Sequence, residues 1–492
     1  MTRRRYFVLF IALLLIGLSW WGVVAARTGL VMRSLTRDRV PLLYIAPQTP
    51  QKVPGVLVAH GYAGSKQLML GYAHVLAQAG YAVMLWDFAG HGANTAPLER
   101  FSLQQDLDTA YASLIEQPEV DRTRLALLGH SMGSGAVMSA SISDVNHFAA
   151  TVAISPTGAQ VTPSAPRNLQ LQAGSWEGSF VRNARQILES AGGENDNLAQ
   201  GKARSLVIIP DAEHITILFR PASHQAALKW LNATFGMSST SNYVDRRMMW
   251  YGLHLVAWLI LLGSVAPLLV KPATESWVQV PSSRRWGGFF LAPFVASGIL
   301  FLLSRVVEIE SLGGVQVGGA VGIWFFVAGM VWLGFLFRLP RPTGRAVGIG
   351  MVLFVLLWIA FGAMAQVVWL QWSLIPVRLM LWPLLSLACF PWFFACAIAQ
   401  KAVPKAIVPQ GIKIIERVAW WLWQSLALVG GFILVLYLVP ELGFIFLLLP
   451  IFPPLMAILA FAAALLDQIW SYALGSALFF GWMIAAAFPL AA

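Results

Sequence analysis

Residues 125–140 read LALLGHSMGSGAVMSA, and every later step of the sequence reading leans on this stretch. The apolar run Leu125–Leu128 predicts a strand, and the small-residue run Ser134–Ala140 predicts a helix. Between them, Gly129-His130-Ser131-Met132-Gly133 predicts a sharp turn that carries a serine. A serine hydroxyl is a poor nucleophile unless it is held clear of the backbone, beside a base and beside N–H groups that can hold an oxyanion. Glycine on either side lets so tight a turn form without steric clash. A bare G-x-S-x-G match arises often by chance; the strand before it and the helix after it are what make Ser131 a candidate nucleophile.

The rest of the chain sets this serine in an unusual context. Of 492 residues, 58% are hydrophobic and only 11% charged, which is too apolar for a wholly soluble protein. Polar residues are concentrated: 16 of the 22 acidic residues lie between Arg27 and Arg247. The expected organisation is therefore a signal-anchor helix over 1–26, an α/β domain over 27–246 and an all-α polytopic membrane domain over 247–492. The first apolar run, Tyr6–Ala26, follows Arg3, Arg4 and Arg5, is long enough to cross a hydrocarbon core, and carries Trp20 and Trp21 as interfacial anchors. An uncleaved anchor fits it better than a cleaved signal peptide. Further spans are expected at 248–270, 287–304, 317–337, 346–370, 379–399, 418–438, 442–466 and 469–490, nine in total with the first.

Cytoplasmic loops collect Lys and Arg, which gives an independent check on that register. With Arg3–Arg5 inside, the inside loops hold Lys271, Arg284 and Arg285, then Arg338, Arg341 and Arg345, then Lys401, Lys405, Lys413 and Arg417. Outside loops hold only Arg305 and Arg378, near Glu308, Glu310 and Glu441. The last two spans break the pattern, because Pro450, Pro453 and Pro454 interrupt one and the final inside turn holds Asp467 and no base. A broken or re-entrant helix is open there. The expected location is the inner (plasma) membrane, multi-pass, with the α/β domain on the periplasmic or extracellular side. The net charge of +11 follows from this topology and gives no nucleic-acid signal, since residues 27–247 hold 18 basic against 16 acidic residues. Cys389 and Cys396 share one predicted membrane helix, so packing is expected of them, and neither a disulfide nor a metal site.

Inside 27–246, apolar runs alternate with helical patterns as in βα units. Strands are expected at 53–59, 81–86, 124–128, 149–154, 169–172 and 205–209, with an antiparallel edge from 30–44. Helices are expected at 67–79, 103–115, 134–142, 180–191 and 223–235. A mostly parallel sheet wrapped by helices on both faces follows.

With these elements in place the segment from about residue 50 to 236 resembles the α/β-hydrolase family. The residues that carry the likeness are His60-Gly61-Tyr62-Ala63-Gly64, Asp87-Phe88-Ala89-Gly90-His91-Gly92, Asp121 with Arg124, and the serine turn itself. The two glycine-rich turns are similar to those of the monoacylglycerol lipase, serine aminopeptidase and dienelactone hydrolase branches. The resemblance implies a triad in the order Ser, acid, His. It implies His214 as the base, on the short loop after the strand in Leu206-Val207-Ile208-Ile209-Pro210, and Glu177 as the acid after the strand at 168–172. His224 is a rival base, read as lying on a solvated helix face; Asp211, Glu213 and Asp196 are rival acids. Backbone N–H groups of Tyr62 and Met132 are implied as oxyanion donors, and His60, Gly61 and His130 as substrate-binding residues, the histidines, with His91, sitting where the family has them for structural or pocket-lining use. His147 and His254 have no motif around them.

No cofactor and no metal are expected. Only about fourteen residues separate the strand near Ile154 from that near Leu169, so the helical cap of lipase-like members is expected to be missing. The function expected from all this is a membrane-anchored serine hydrolase acting on an acyl ester, its partners the lipid bilayer and an acyl-bearing, lipid-associated substrate. The same triad also fits a peptidase, thioesterase or acyltransferase. A membrane scaffold or transport protein with an accessory hydrolase-like domain is the alternative of another class. Against it, the predicted spans carry few ionisable groups at depth.

Overall fold

A computed structural model describes residues 3–99, 102–238, 241–269, 280–336, 339–401, 410–466 and 468–491. Of the charges used to read topology, Lys271, Arg338, Lys405 and Asp467 lie outside the described residues. The chain divides into two compact units. One comprises Gly17–Leu253 together with Met364–Ser373; the other comprises Met1–Ile16, His254–Ala363 and Leu374–Ala491.

Helix α1 (Arg3–Ala25) leads into the first unit. Its eight strands are β1 (Leu30–Arg37), β2 (Val40–Pro47), β3 (Val53–Ala59), β4 (Ala82–Trp86), β5 (Val120–His130), β6 (Ala150–Ile154), β7 (Leu169–Gly174) and β8 (Arg204–Ile209). They form one sheet in the order β1-β2-β4-β3-β5-β6-β7-β8. The first two pairings are antiparallel and the rest parallel. Strands buried on both faces read as continuous apolar runs instead of alternating ones, as the fully buried β4 and β6 do. The 30–44 stretch, expected as one edge, is a β1–β2 hairpin whose turn residues Asp38 and Arg39 have φ of 48° and 67°. Two successive positive φ values suit the right-handed twist of a two-residue hairpin.

The parallel strands are joined by α2 (Leu70–Gln78), α3 (Ser102–Ile115), α4 (Met132–Ser143) and α5 (Gly178–Ser190), and α6 (Pro221–Phe235) follows β8. Helices α2 and α6 pack with Val56, Val58 and Leu128 on one face. Helices α3 and α4 pack with Leu57, Leu125 and Leu127 on the other. Strand β5 is central, with Leu128 between Val58 and Val152. Its C-terminal end therefore opens where loops from both neighbours converge, the usual place for a site in a parallel sheet.

The second unit is helical: α7 (Arg247–Leu269), α8 (Ser282–Leu303), α9 (Gly318–Leu336), α10 (Gly344–Leu357), α11 (Met364–Val368), α12 (Pro376–Lys401), α13 (Gln410–Leu438), α14 (Phe452–Leu465) and α15 (Ile469–Ala487), the first turns of α7 and all of α11 belonging to the α/β unit. Helices α10 and α11 are continuous through a π-helical turn, Trp358–Ala363. Among the described residues eight helices are long and apolar enough to cross a membrane, and a ninth path exists if the pair Pro440–Leu448 and Phe452–Leu465, bent by 55°, is one span.

Hydrogen bonds tie α15 to its neighbours at both ends. At its start α15 is tied to the start of α10, Ser471 Oγ donating to Ala346 O at 2.8 Å. At its end it is tied to the start of α12, Arg378 Nη1 donating to Ala485 O at 2.6 Å and Phe488 O at 2.7 Å.

Candidate active site

The turn between β5 and α4 is held by exclusion. A Cβ on Gly129 would lie 2.3 Å from Gly133 O, and one on Gly133 would lie 2.5 Å from His60 O, so both contacts are with backbone that cannot move aside. Between them Ser131 takes φ 52° and ψ −121°, a conformation a non-glycine residue adopts only when its surroundings enforce it. The enforcing contacts are visible. Ser131 N donates to Ile154 O at 2.9 Å, and Ser131 O accepts from Ser134 N at 2.8 Å and Ser134 Oγ at 2.5 Å.

Ser131 Oγ lies 3.1 Å from His214 Nε2, and His214 Nδ1 lies 2.6 Å from Glu177 Oε1. Glu177 follows β7 and immediately precedes α5. Its second oxygen, Oε2, accepts from Gly174 N at 2.6 Å and from Ser155 Oγ at 2.9 Å. All the lone pairs that matter are thereby directed, and the carboxylate cannot rotate away from the imidazole. The ring of His214 is fixed from its faces as well: Phe180 stacks on it at 4.4 Å and His130 lies against it at 4.7 Å. All three residues of the line are under 10% exposed.

The other candidates for base and acid are elsewhere. His224 is not on a solvated face as expected: it is 2% exposed, packs edge-on to Tyr72 at 4.5 Å and donates from Nε2 to Leu218 O at 2.8 Å. Glu213 accepts from Ile215 N and Thr216 N and so closes the short turn beyond His214, facing away from the ring. Asp211 and Asp196 are exposed. His147 lies 3.6 Å from Asp144, and His254 is in α7.

The loop after β3 lies directly beside the serine, since a Cβ on Gly61 would be 3.1 Å from Ser131 Cβ and 2.8 Å from His130 Nδ1. Tyr62 is next in that loop. Met132 is the first residue of α4, where N–H groups have no carbonyl partner inside the helix. His60 and His130 are fully buried, the structural one of the two uses expected of them. His60 Nδ1 donates to Gly61 O at 2.8 Å while its Nε2 accepts from Phe88 N at 3.1 Å, a single neutral tautomer that ties two loops together. Burial holds its pKa down at about 4. His130 Nε2 donates to His214 O at 3.0 Å, and burial, with the charge of His214, drives its pKa well below the usual range.

Several participants carried no role in the sequence reading. Lys66 pairs with the buried Asp87 carboxylate, which also accepts from Lys66 N at 2.8 Å and Ala93 N at 3.0 Å. A Cβ on Gly92 would lie 2.5 Å from that carboxyl carbon. Asp106 accepts from Ala89 N at 2.7 Å, and burial raises its pKa to about 6 against the lowering effect of that bond. The D-x-x-G-x-G turn was legible, but its carboxylate's service to the β3 loop was not. Residues 155–168 contain no helix, so no helical cap stands between β6 and β7. Among the described residues no group of three or more His, Cys, Asp or Glu is placed to hold a metal ion.

A mostly parallel sheet that delivers a serine on a strained strand-to-helix turn, with a histidine and a carboxylate arriving from the next strands, defines an α/β-hydrolase domain. Residues 50–210 match the family model described as serine aminopeptidase, S33, and the chain carries an α/β-hydrolase domain of the serine hydrolase class. An uncharacterized protein of Mycobacterium tuberculosis (strain ATCC 25618 / H37Rv) is 35% identical over 81 residues, 16% of this chain and 29% of that protein. Protein bem46 of Schizosaccharomyces pombe is 26% identical over 121 residues, 24% of this chain and 40% of that one. The chain thus spans well under half the length of these relatives. Among solved structures, a membrane phospholipase A aligns at 15% identity and TM-score 0.33, over 46% of this chain and 93% of that one. A dienelactone hydrolase from Anabaena variabilis aligns at 17% identity and TM-score 0.31, over 44% and 100%.

Proposed function

We propose that this chain is a membrane-anchored serine hydrolase that cleaves acyl esters through a Ser131–His214–Glu177 triad. The observation that carries the reading is the unbroken hydrogen-bonded line from Ser131 Oγ through both nitrogens of His214 to Glu177. His214 Nε2 takes the Ser131 proton as Oγ attacks the acyl carbonyl, and Glu177 stabilises the resulting imidazolium. The N–H groups of Tyr62 and Met132 hold the oxyanion. His214 then protonates the departing alcohol; water, deprotonated by the same ring, releases the acid and restores Ser131.

The substrate is a lipid-associated acyl ester. Short connectors join the α/β domain to apolar helices at Ala25 and at Arg247, and no helical cap restricts entry from β6 and β7. The Lys and Arg distribution favours a multi-pass protein of the plasma membrane with this domain on the outer side, and protease accessibility in intact cells against inverted vesicles tests that orientation. For the chemistry, the full-length protein in native membranes is exposed to a fluorophosphonate probe. Labelling of the wild type that disappears in Ser131→Ala is expected. A wild type that resists the probe, or a Ser131→Ala variant labelled equally, overturns the reading in favour of a scaffold or transport role. A panel of ester, thioester and aminoacyl amide substrates, each free and lipid-dispersed, ranks the carbonyls that Ser131 accepts.

A further inference from the structure

The loop that presents Tyr62 N–H beside Ser131 is pinned at several places. His60 anchors its start, Gly64 N donates to Gly61 O at 3.1 Å, and Lys66 binds Asp87 through both its backbone and its side chain. These anchors all come from the sheet and its nearest loops. The last one does not. Gln67 Nε2 donates to Gln371 Oε1 at 2.6 Å, across 304 residues of sequence, and both side chains are over 90% buried.

Gln371 belongs to Met364–Ser373, a segment that lies between two apolar helices in sequence yet folds as part of the α/β unit. Its carboxamide has one orientation. Nε2 donates to Ser373 O at 2.9 Å, which turns Oε1 toward Gln67, and Oε1 accepts a second bond from Gln366 Nε2 at 3.2 Å. Gln366 is itself fixed, its Oε1 accepting from Trp372 N at 2.5 Å and Ser373 N at 3.0 Å. Trp369 packs against the core cluster that contains Leu68 and Met69, the residues just after Gln67. So elaborate a support for one acceptor is far more than a surface contact requires, and a buried, uncompensated Gln67 amide is what its loss would leave.

We propose that Gln371 is a positioning residue for the oxyanion side of the active site. By holding Gln67 it fixes the turn that carries Tyr62, so that the amide lies where negative charge develops on the substrate oxygen. This inference rests on the serine-hydrolase reading above. A donor displaced by a fraction of an ångström weakens the transition state while leaving ground-state binding of the acyl chain intact. The expected signature is accordingly a fall in kcat with little change in KM.

The test uses full-length protein in detergent micelles with p-nitrophenyl butyrate, and active sites are counted by end-point fluorophosphonate titration so that unfolded molecules do not enter kcat. Gln371→Ala is expected to lower kcat roughly 10-fold with KM within about two-fold. Gln67→Leu removes the donor from the other end while keeping volume, and is expected to match Gln371→Ala. Wild-type kcat in both Gln371→Ala and Gln67→Leu overturns the proposal, as does a loss that falls on KM with kcat unchanged. Failure of the underlying reading looks different: the wild type itself would then show no turnover dependent on Ser131.

Discussion

Glycine marks the tightest places in both units of this molecule, but to different ends. In the α/β unit Gly129 and Gly133 stand on either side of Ser131, and a Cβ on either would strike backbone within 2.5 Å. In the helical unit Gly329 allows the backbone of α12 to approach, a Cβ there lying 2.2 Å from Trp392 N, and Gly288 and Gly431 accept the rings of Trp332 and Trp324. The first pair aims one side chain; the second set lets whole helices meet. A small residue in the α/β unit thus serves to aim one side chain, and one in the helical unit serves an interface. The comparison yields mutations that separate chemistry from assembly.

The largest effect is expected from Ser131→Ala, which leaves packing nearly unchanged and should lower ester turnover by about 10⁴-fold or more at an unaltered thermal midpoint. Steady-state assays and melting curves of the full-length protein check both halves of that statement. Next come Gly133→Val and Gly329→Val, each expected to cost about 3 kcal/mol or more through overpacking. They should part company under the fluorophosphonate probe: Gly133→Val loses labelling, whereas Gly329→Val keeps the wild-type labelling rate in the fraction that remains monodisperse on size exclusion. Loss of labelling in that folded fraction of Gly329→Val would dissolve the distinction between the two kinds of glycine.

Acid should unsettle the α/β unit specifically, because its buried histidines are held neutral. Burial keeps His60 at about 4 and His74 at about 3, and it lowers His130 and His224 as well. A folded pKa below the unfolded one means that the stabilisation is complete above about pH 6.5 and is lost as pH falls toward those values. For His60 alone this is on the order of 3 kcal/mol. The thermal midpoint is therefore expected to drop between pH 7 and 4.5. Asp106 runs the other way. Its pKa of about 6 exceeds the ordinary carboxyl value, so its contribution is full at low pH and is lost as pH rises through 6. Asp106→Asn should accordingly gain on the wild type by on the order of 2 kcal/mol as pH climbs from 4 to 7, the smallest of these effects.

What was legible in the sequence follows the same division. Strands β3 to β8 and the helices between them could be read within a few residues, because a sheet buried on both faces writes itself as apolar runs punctuated by glycine-rich turns. The β1–β2 hairpin was missed as a hairpin, since Asp38-Arg39 lacks the Asn-Gly or Asp-Gly signal of a two-residue turn. His224 was misplaced because its helix is rich in polar residues. Its burial depends on Gly71, whose missing Cβ makes room for the ring, and that pairing is set by tertiary packing. In the helical unit hydropathy located the long apolar helices but not their irregularities: the π turn at Trp358–Ala363 lies in an unbroken apolar run. Prolines did flag the 55° break near residue 450. The Gln67–Gln371 bond has no local signature at all, since neither glutamine differs from its neighbours in any pattern that one sequence displays.

That bond also orders events in time. A chain emerges from the ribosome N-terminus first, at roughly 5–20 residues per second. The sheet, the serine turn and His214 all exist long before Gln371 does. Gln67 must wait through the synthesis of the helices from Arg247 onward before its partner arrives. Completion of the β3 loop is therefore one of the later steps in making this protein, and a nascent chain stalled before residue 364 would carry Ser131, His214 and Glu177 without the last anchor of that loop.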